Sequence, residues 1–495
     1  MNNNISSDLE LYFNQFRKNI IGIDQEFETP FGNKQMIYAD WIASGRFYNQ
    51  IEEKLSNDFG KYIGNTHTET SETGTLMTNA YHEAREIIKK HCNAHKEDVL
   101  IFAGFGMTAV VNKFQRILGL KTCGALSGKA CLKDAEKPVV FISHMEHHSN
   151  HTSWYETMAE VVVIEPNEEL LFDTNNLKAA LEKYKNRPFK IASITACSNV
   201  TGIVTPYHEI AKIMHENGGL CFVDFAASAP YLEIDMHPGN DPLKALDAIF
   251  FSPHKFLGGP SSSGVLIFNR SLYNCKTPDN PGGGTVDWTN MWGEYKYVDD
   301  IEAREDGGTP GFLQAIRTAL SIKLKEKMKI ENIKKREEEL LEIAFDGISN
   351  IKGVYILADN VKHRLGVISF YTMDIHYNLI VKLLNDFFGI QVRGGCACAG
   401  TYGHYLLHVG HSQSKDITDK INSGDLSEKP GWVRLSLHPT MTNQELLFVI
   451  DAIRQVVANA NEWMKFYDYD KKKNEFAHKS FKTPLIGELD KWFAL

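Results

Sequence analysis

Between about residues 97 and 268, short β-branched and aromatic runs alternate with stretches whose apolar positions recur at helical spacing. This pattern predicts a mostly parallel sheet covered by helices. The expected strands are Val99 to Ala103, Val139 to Ser143, Val161 to Ile164, Lys190 to Thr195, Cys221 to Asp224, Ala248 to Phe251 and Gly264 to Phe268. Leu177, Ala180, Leu181 and Tyr184 fall on one helical face behind a cap at Asp173 or Thr174, and Tyr207, Ile210, Ala211 and Met214 do so before Gly218-Gly219. Both predict crossover helices.

Beyond the Gly/Pro-rich turns Asp279 to Gly284 and Asp306 to Gly311, a charged helical stretch from about Leu313 to Ile343 opens a second unit. Two strand-like runs, Leu365 to Tyr371 and Trp432 to Leu437, mix there with helices near Tyr377 to Phe388 and Asn443 to Lys465. The reading is an N-terminal arm over 1–35, a large α/β domain over 36–310 with a seven-stranded sheet, and a smaller C-terminal α+β domain over 311–495. Lys121 to Lys137 and the polar run His411 to Lys429 are expected as surface elaborations.

The 495-residue length and 43% hydrophobic content agree with more than one core. A net charge of -9 offers no basic field for nucleic acid. No run of about 18 apolar residues predicts a membrane span, and Met1 to Glu10 is too polar for a signal peptide. Eight scattered cysteines resemble reduced thiols rather than a disulfide framework. A cytoplasmic protein is expected.

Candidate chemistry centres on Lys255, which ends an apolar run in Phe250-Phe251-Ser252-Pro253-His254-Lys255 and precedes the turn Gly258-Gly259. A lysine in apolar surroundings loses its proton more easily, and a neutral amine forms a Schiff base with an aldehyde such as that of pyridoxal phosphate. Such a cofactor needs an acid at its pyridine nitrogen, and Asp224 sits at the end of a predicted strand, where an ordinary helix cap is the alternative. Gly104-Phe105-Gly106-Met107-Thr108 joins a strand to a helix, as a phosphate site does. Glu146-His147-His148 follows the strand ending at Ser143, so an imidazole there, that of His147 among them, could stack on a flat ring, and is equally a surface polar residue. Ser198-Asn199-Val200 could bond the ring hydroxyl, and is equally a turn. The histidine spacing fits neither an HExxH helix nor a CxxC pair, and no metal is expected.

Taken in order, Gly106-Met107-Thr108, Glu146-His147-His148, Ser198-Asn199-Val200, Asp224 and Ser252-Pro253-His254-Lys255 resemble the class V aminotransferase family of fold-type I pyridoxal-phosphate enzymes. Within it, cysteine desulfurases and selenocysteine lyases are the most similar. The resemblance spans roughly 36 to 460. It implies a Schiff base on Lys255, Asp224 at the pyridine nitrogen, His147 on the ring, Asn199 at the hydroxyl, and Gly106, Met107, Thr108, Ser252 and His254 around the phosphate. It also implies a homodimer, with Thr309 of Gly308-Thr309-Pro310 reaching across to the other subunit.

Val392-Arg393-Gly394-Gly395-Cys396-Ala397-Cys398 is similar to the family loop in which an arginine stands five positions before a sulfur-accepting cysteine. By that resemblance Cys398 is the acceptor in the conversion of L-cysteine to L-alanine, from which a further acceptor protein would take the sulfur. Arg393 and Arg434 would bind the substrate, Arg434 holding its carboxylate in a bidentate fork. Cys396 and Cys398 could instead be small buried residues or a metal pair, and Arg434 a surface residue. Three positions depart from the family: Ala227 replaces a usual glutamine, Cys396 a frequent histidine, and Trp41, in Tyr38-Ala39-Asp40-Trp41, a smaller residue expected near the substrate. The competing readings are an aminotransferase, epimerase or lyase acting on another amino acid, and a non-catalytic scaffold.

Overall fold

The structure, a computed structural model, describes residues 7–121, 132–239 and 241–495. It divides into two compact units. The larger comprises Ala43–Ser198 and Ile203–Ile330, and the smaller the N-terminal segment through Ile42, Asn199–Gly202 and Glu331–Leu495.

The larger unit is built on seven strands: β1 (Val99–Ala103), β2 (Val139–Ser143), β3 (Glu160–Ile164), β4 (Lys190–Thr195), β5 (Leu220–Asp224), β6 (Ala248–Phe251) and β7 (Gly264–Phe268). Their order is β1-β7-β6-β5-β4-β2-β3, and only β7 runs antiparallel to its neighbours. All seven expected strands form. Buried Ile101, Ile142, Phe222, Phe250 and Leu266 pack with Val110, Val111 and Phe114 of the helix Met107–Ile117. A sheet covered on both faces has no solvent side, which explains continuous apolar runs instead of alternation. Asp173 caps the helix Thr174–Lys183 by accepting from Asn175 N at 2.8 Å.

A boundary is expected near 310, and by contacts the chain passes from the larger unit to the smaller after Ile330. The charged stretch is two helices, Phe312–Met328 and Ile330–Ser349, separated by Lys329 at φ +61°. The first packs against Glu72–His91 of the larger unit. Helical periodicity shows that a face is apolar but not which surface covers it.

The expected N-terminal arm is likewise part of the smaller unit. Phe13 and Phe16 are buried, and Arg17 donates to both carboxylate oxygens of Glu445 at 2.8 and 2.7 Å. Ile37–Tyr38 pairs in parallel with Ile390–Gln391. The main sheet here is antiparallel, β8 (Val354–Ile356), β9 (Val367–Thr372), β10 (Arg393–Gly395) and β11 (Trp432–Ser436) in the order β8-β9-β11-β10. Tyr377–Phe388 and Asn443–Trp463 cover it, the latter opened by a reciprocal cap between Thr442 and Glu445. The polar run expected at the surface contains a helix, His411–Asn422, with no buried residue. Most of the other elaboration, Lys121 to Lys137, lies outside the described residues. Among the described residues, no helix is long and apolar enough to cross a membrane.

Trp41 is buried in the smaller unit, stacked on His438 with ring centroids 4.0 Å apart. Burial pushes His438 down to about 3. Its unfolded value is near 6.5, so the unfolded chain binds an extra proton between these values and stability falls as pH drops through that window, by about 1.4 kcal/mol per pH unit. We expect His438→Phe, which keeps a stacked ring, to flatten the decline in unfolding free energy between pH 6.5 and 4.5. Parallel urea-derived profiles for the two proteins would contradict this.

Candidate active site

In the larger unit the candidate residues gather at the ends of β1, β5 and β6. Asp224 closes β5, is buried, and accepts from Ala226 N at 2.8 Å. Burial pushes its carboxyl up to about 6, against the pull of that N–H and of Lys255, which lies within electrostatic reach. Lys255 is half-buried on the single turn Pro253–Lys255 that follows β6. The chain then folds back so tightly that a Cβ on Gly259 would lie 1.9 Å from the Pro253 carbonyl oxygen, and only glycine fits there.

Gly106 precedes the helix Met107–Ile117, and Met107 N donates to Ser252 Oγ at 2.8 Å. A Cβ on Gly106 would stand 3.1 Å from Ser252 Oγ and 3.6 Å from His254 Nε2. Thr108 is exposed in the first turn, its hydroxyl 2.5 Å from that of Ser149. His254 is pushed down to about 4 by burial and by Lys255, which leaves its imidazole neutral near pH 7. Gly106, Met107, Thr108, Ser252 and His254 are thus brought together at a helix N-terminus, where backbone N–H groups and hydroxyls suit an anion.

His147 caps the helix His148–Tyr155, accepting from Ser149 N on Nδ1 at 3.1 Å. The residue before it organises this corner, a role its place in the motif did not disclose. Buried Glu146 accepts on one oxygen from Ser143 N, Ser143 Oγ and Thr195 N, and on the other from Asn150 Nδ2 at 2.8 Å. Burial pushes its carboxyl up to about 8 although these donors oppose the shift. Asn150 cannot reverse its amide, because its Oδ1 already accepts from Trp154 Nε1 and Ser193 Oγ. Glu146→Gln would face one N–H with another, and we expect it to lower unfolding free energy by about 1–3 kcal/mol. Wild-type stability in a denaturant titration would refute this.

Thr309 is exposed, and no hydrogen bond among the described residues ties it to this group. Nearby in the chain, Asp306 accepts from Tyr81 Oη at 2.9 Å and from Arg85 at 2.5 Å.

The smaller unit holds the second group. Cys398 is exposed and Cys396 half-buried. Ala399 N donates to Cys396 O at 3.0 Å, closing a turn whose central residues Ala397 and Cys398 have φ of +51° and +57°. Such a turn normally carries Asn-Gly, and left-handed residues with a Cβ cost about 1–3 kcal/mol each. Asn199 offsets part of this strain: its Nδ2 donates to Ala397 O at 2.8 Å. Asn199, expected at a cofactor hydroxyl, therefore has its amide nitrogen engaged with the cysteine turn, while its buried Oδ1 has no partner among the described residues.

Arg434, expected either as an anchor or as a surface residue, is buried on β11. Its Nη1 donates to Asn199 O at 3.2 Å and its Nη2 to Asp40 Oδ1 at 2.8 Å, while Arg393 Nε donates to Asp40 Oδ2 at 3.0 Å. Cys398 lies within electrostatic reach of Arg434. Asp40 thus joins both candidate arginines. His404, close to Cys398 in sequence, has its ring nitrogens 2.8 Å from Gly400 O and 2.8 Å from Ser414 Oγ. Ala227 is buried.

Residues 37–449 match the family model of class-V aminotransferases. The chain belongs to the class-V aminotransferase family. Among class-V relatives, a Halalkalibacterium halodurans protein named a probable cysteine desulfurase is 29% identical over 378 residues, which cover 76% of this chain and 86% of that protein. One of the same name from Staphylococcus epidermidis is 31% identical over 75% of this chain and 85% of its own length. The fold is shared with the apo structure of a cysteine desulfurase from Thermococcus onnurineus, with a TM-score of 0.71 and 22% identity over 90% of this chain and 98% of that one. A cysteine desulfurase from Escherichia coli, described as S-sulfonic acid, gives 0.68 and 21% over 90% and 98%. Class-V aminotransferases of this kind are generally pyridoxal-phosphate enzymes.

Proposed function

We propose that this protein is a pyridoxal-phosphate-dependent cysteine desulfurase, converting L-cysteine to L-alanine and leaving the sulfur as a persulfide on Cys398. The observation that carries the reading is an exposed thiol on a strained turn, within reach of a buried guanidinium suited to an amino-acid carboxylate. The relatives' names and the motif at Arg393 and Cys398 support it.

The residues present fit the coenzyme: a half-buried amine, a buried acid within its field, and an anion-binding helix N-terminus lined by hydroxyls. When bound, pyridoxal phosphate supplies an electron sink that labilises bonds at the substrate's carbons. Lys255 would hold the aldehyde covalently and then move protons as a free amine. Asp224 would keep the pyridine nitrogen protonated, and His147 would lie against the ring. Met107 N, Thr108, Ser252 and His254 would hold the phosphate beside Gly106, with Thr309 serving the other subunit of a homodimer. Asn199 would offer its remaining amide oxygen to the ring hydroxyl.

Arg434 and Arg393 would fix the substrate carboxylate. The Cys398 thiolate attacks the substrate sulfur, forming an S–S bond while the C–S bond breaks. Its electron pair passes to the carbon skeleton, which takes up a proton to become alanine. L-cysteine and one thiol thereby give L-alanine and one persulfide, with no external oxidant. The sulfur would pass to an acceptor protein, and the free thiols of the described cysteines fit a reducing, cytoplasmic setting.

Incubation of the holoenzyme with L-cysteine tests this reading. We expect L-alanine to form and the peptide bearing Cys398 to gain one sulfur by mass spectrometry. Alanine without that sulfur would take the acceptor role from Cys398, consumption of L-cysteine without alanine would point to a lyase or aminotransferase, and no reaction at all would refute the assignment.

A further inference from the structure

Two guanidinium groups share a single carboxylate in the smaller unit. One oxygen of Asp40 meets Arg434 Nη2 at 2.8 Å and the other meets Arg393 Nε at 3.0 Å. The carboxylate is positioned by backbone as well as by charge. Ser436 N donates to Ala39 O at 2.8 Å, Ser436 Oγ accepts from Ile42 N at 3.1 Å, and Tyr38 Oη donates to Asp40 O at 3.2 Å. Asp40 therefore stands beside β11, where Arg434 lies two residues from Ser436.

The arithmetic of charge has a chemical meaning here. Two cations and one anion leave a net charge of +1, one carboxylate short of neutrality. Arg434 is buried, its Nη1 is taken by Asn199 O, and its Nε has no partner among the described residues. Arg393 is half exposed, so water screens its charge more effectively. The buried cation is less screened, and the acid beside it trims its field.

We propose that Asp40 is a specificity-determining residue that sets the anion capacity of this arginine pair to one carboxylate. The proposal rests on the reading that Arg434 and Arg393 receive the substrate's carboxylate. An amino acid with a neutral side chain, such as cysteine or alanine, completes the cluster. A second carboxylate on the ligand meets the negative charge of Asp40 and is turned away. Removing that charge makes the cluster +2 and opens it to acidic amino acids, because an unscreened like charge within a few ångströms is worth about a tenfold change in binding or more.

The test is calorimetric binding of L-alanine and L-aspartate to the holoenzyme and to its Asp40→Asn variant. L-alanine is the expected product, so its binding needs no sulfur transfer and is read independently of the desulfurase reaction. We expect the wild-type protein to prefer L-alanine, and Asp40→Asn to raise affinity for L-aspartate relative to L-alanine by about tenfold. Asp40→Glu, which keeps the charge, retains the wild-type preference. A merely structural Asp40 would give equal weakening of both ligands in Asp40→Asn, and that result, or an unchanged ratio, overturns the proposal. Absence of alanine production from L-cysteine would count against the desulfurase reading alone.

Discussion

Lys255→Ala is expected to lose alanine production from L-cysteine by about three orders of magnitude. The variant should also lose the visible absorption that coenzyme addition gives the wild-type protein. The reason lies in the position of the amine. Lys255 follows β6, whose neighbour β5 ends at Asp224, and it lowers the proton affinity of that buried acid. Lys255→Arg keeps the cation but offers no amine that adds readily to an aldehyde, so charge alone should not rescue. Half-buried Lys255 is no part of the apolar core, and unfolding transitions of both variants should stay near that of the wild type. More than a tenth of wild-type activity in Lys255→Ala would remove the central assignment.

The second large effect is expected at Cys398. Cys398→Ser should abolish the added sulfur and reduce alanine formation by about a hundredfold or more, because a hydroxyl is a far weaker nucleophile than a thiol near neutral pH. Cys396→Ser is the informative control. Cys396 sits at the first position of the same turn, half-buried, while Cys398 is exposed. Sulfur is therefore expected on Cys398 in that variant, found by peptide mass spectrometry after L-cysteine treatment. Sulfur on Cys396 in the wild-type protein, or full activity in Cys398→Ser, would reassign the acceptor.

Much of this chemistry was legible along the chain because its motifs are local. A strand end, a glycine-rich connection and a helix start lie within a few residues of one another around Gly106, and the same holds for Ser252 to Gly259. The exposed, turn-borne character of Cys398 was less legible. Ala397-Cys398 has none of the residues that announce positive φ, and the conformation is held in part by Asn199, 198 positions away. Glu146 and Asp40 both lay within segments singled out by their motifs, yet their importance follows from partners such as Thr195, Arg393 and Arg434 that no spacing rule identifies.

The sequence by itself determined the seven strands of the large sheet, because continuous apolar runs between helical patterns have few other ways to leave water. It also singled out the residues proposed as the reactive amine, the acid and the thiol. Tertiary structure alone decided that the N-terminal segment and Asn199–Gly202 belong to the smaller unit, that Phe312–Met328 belongs to the larger, and that one aspartate serves two arginines. The physical reason is common to all three. Periodicity reports which face of an element avoids water, and residue type reports which groups carry charge. Which surface covers that face, and which counter-ion meets that charge, depends on chain segments hundreds of residues apart whose pairing is settled only when the whole core closes.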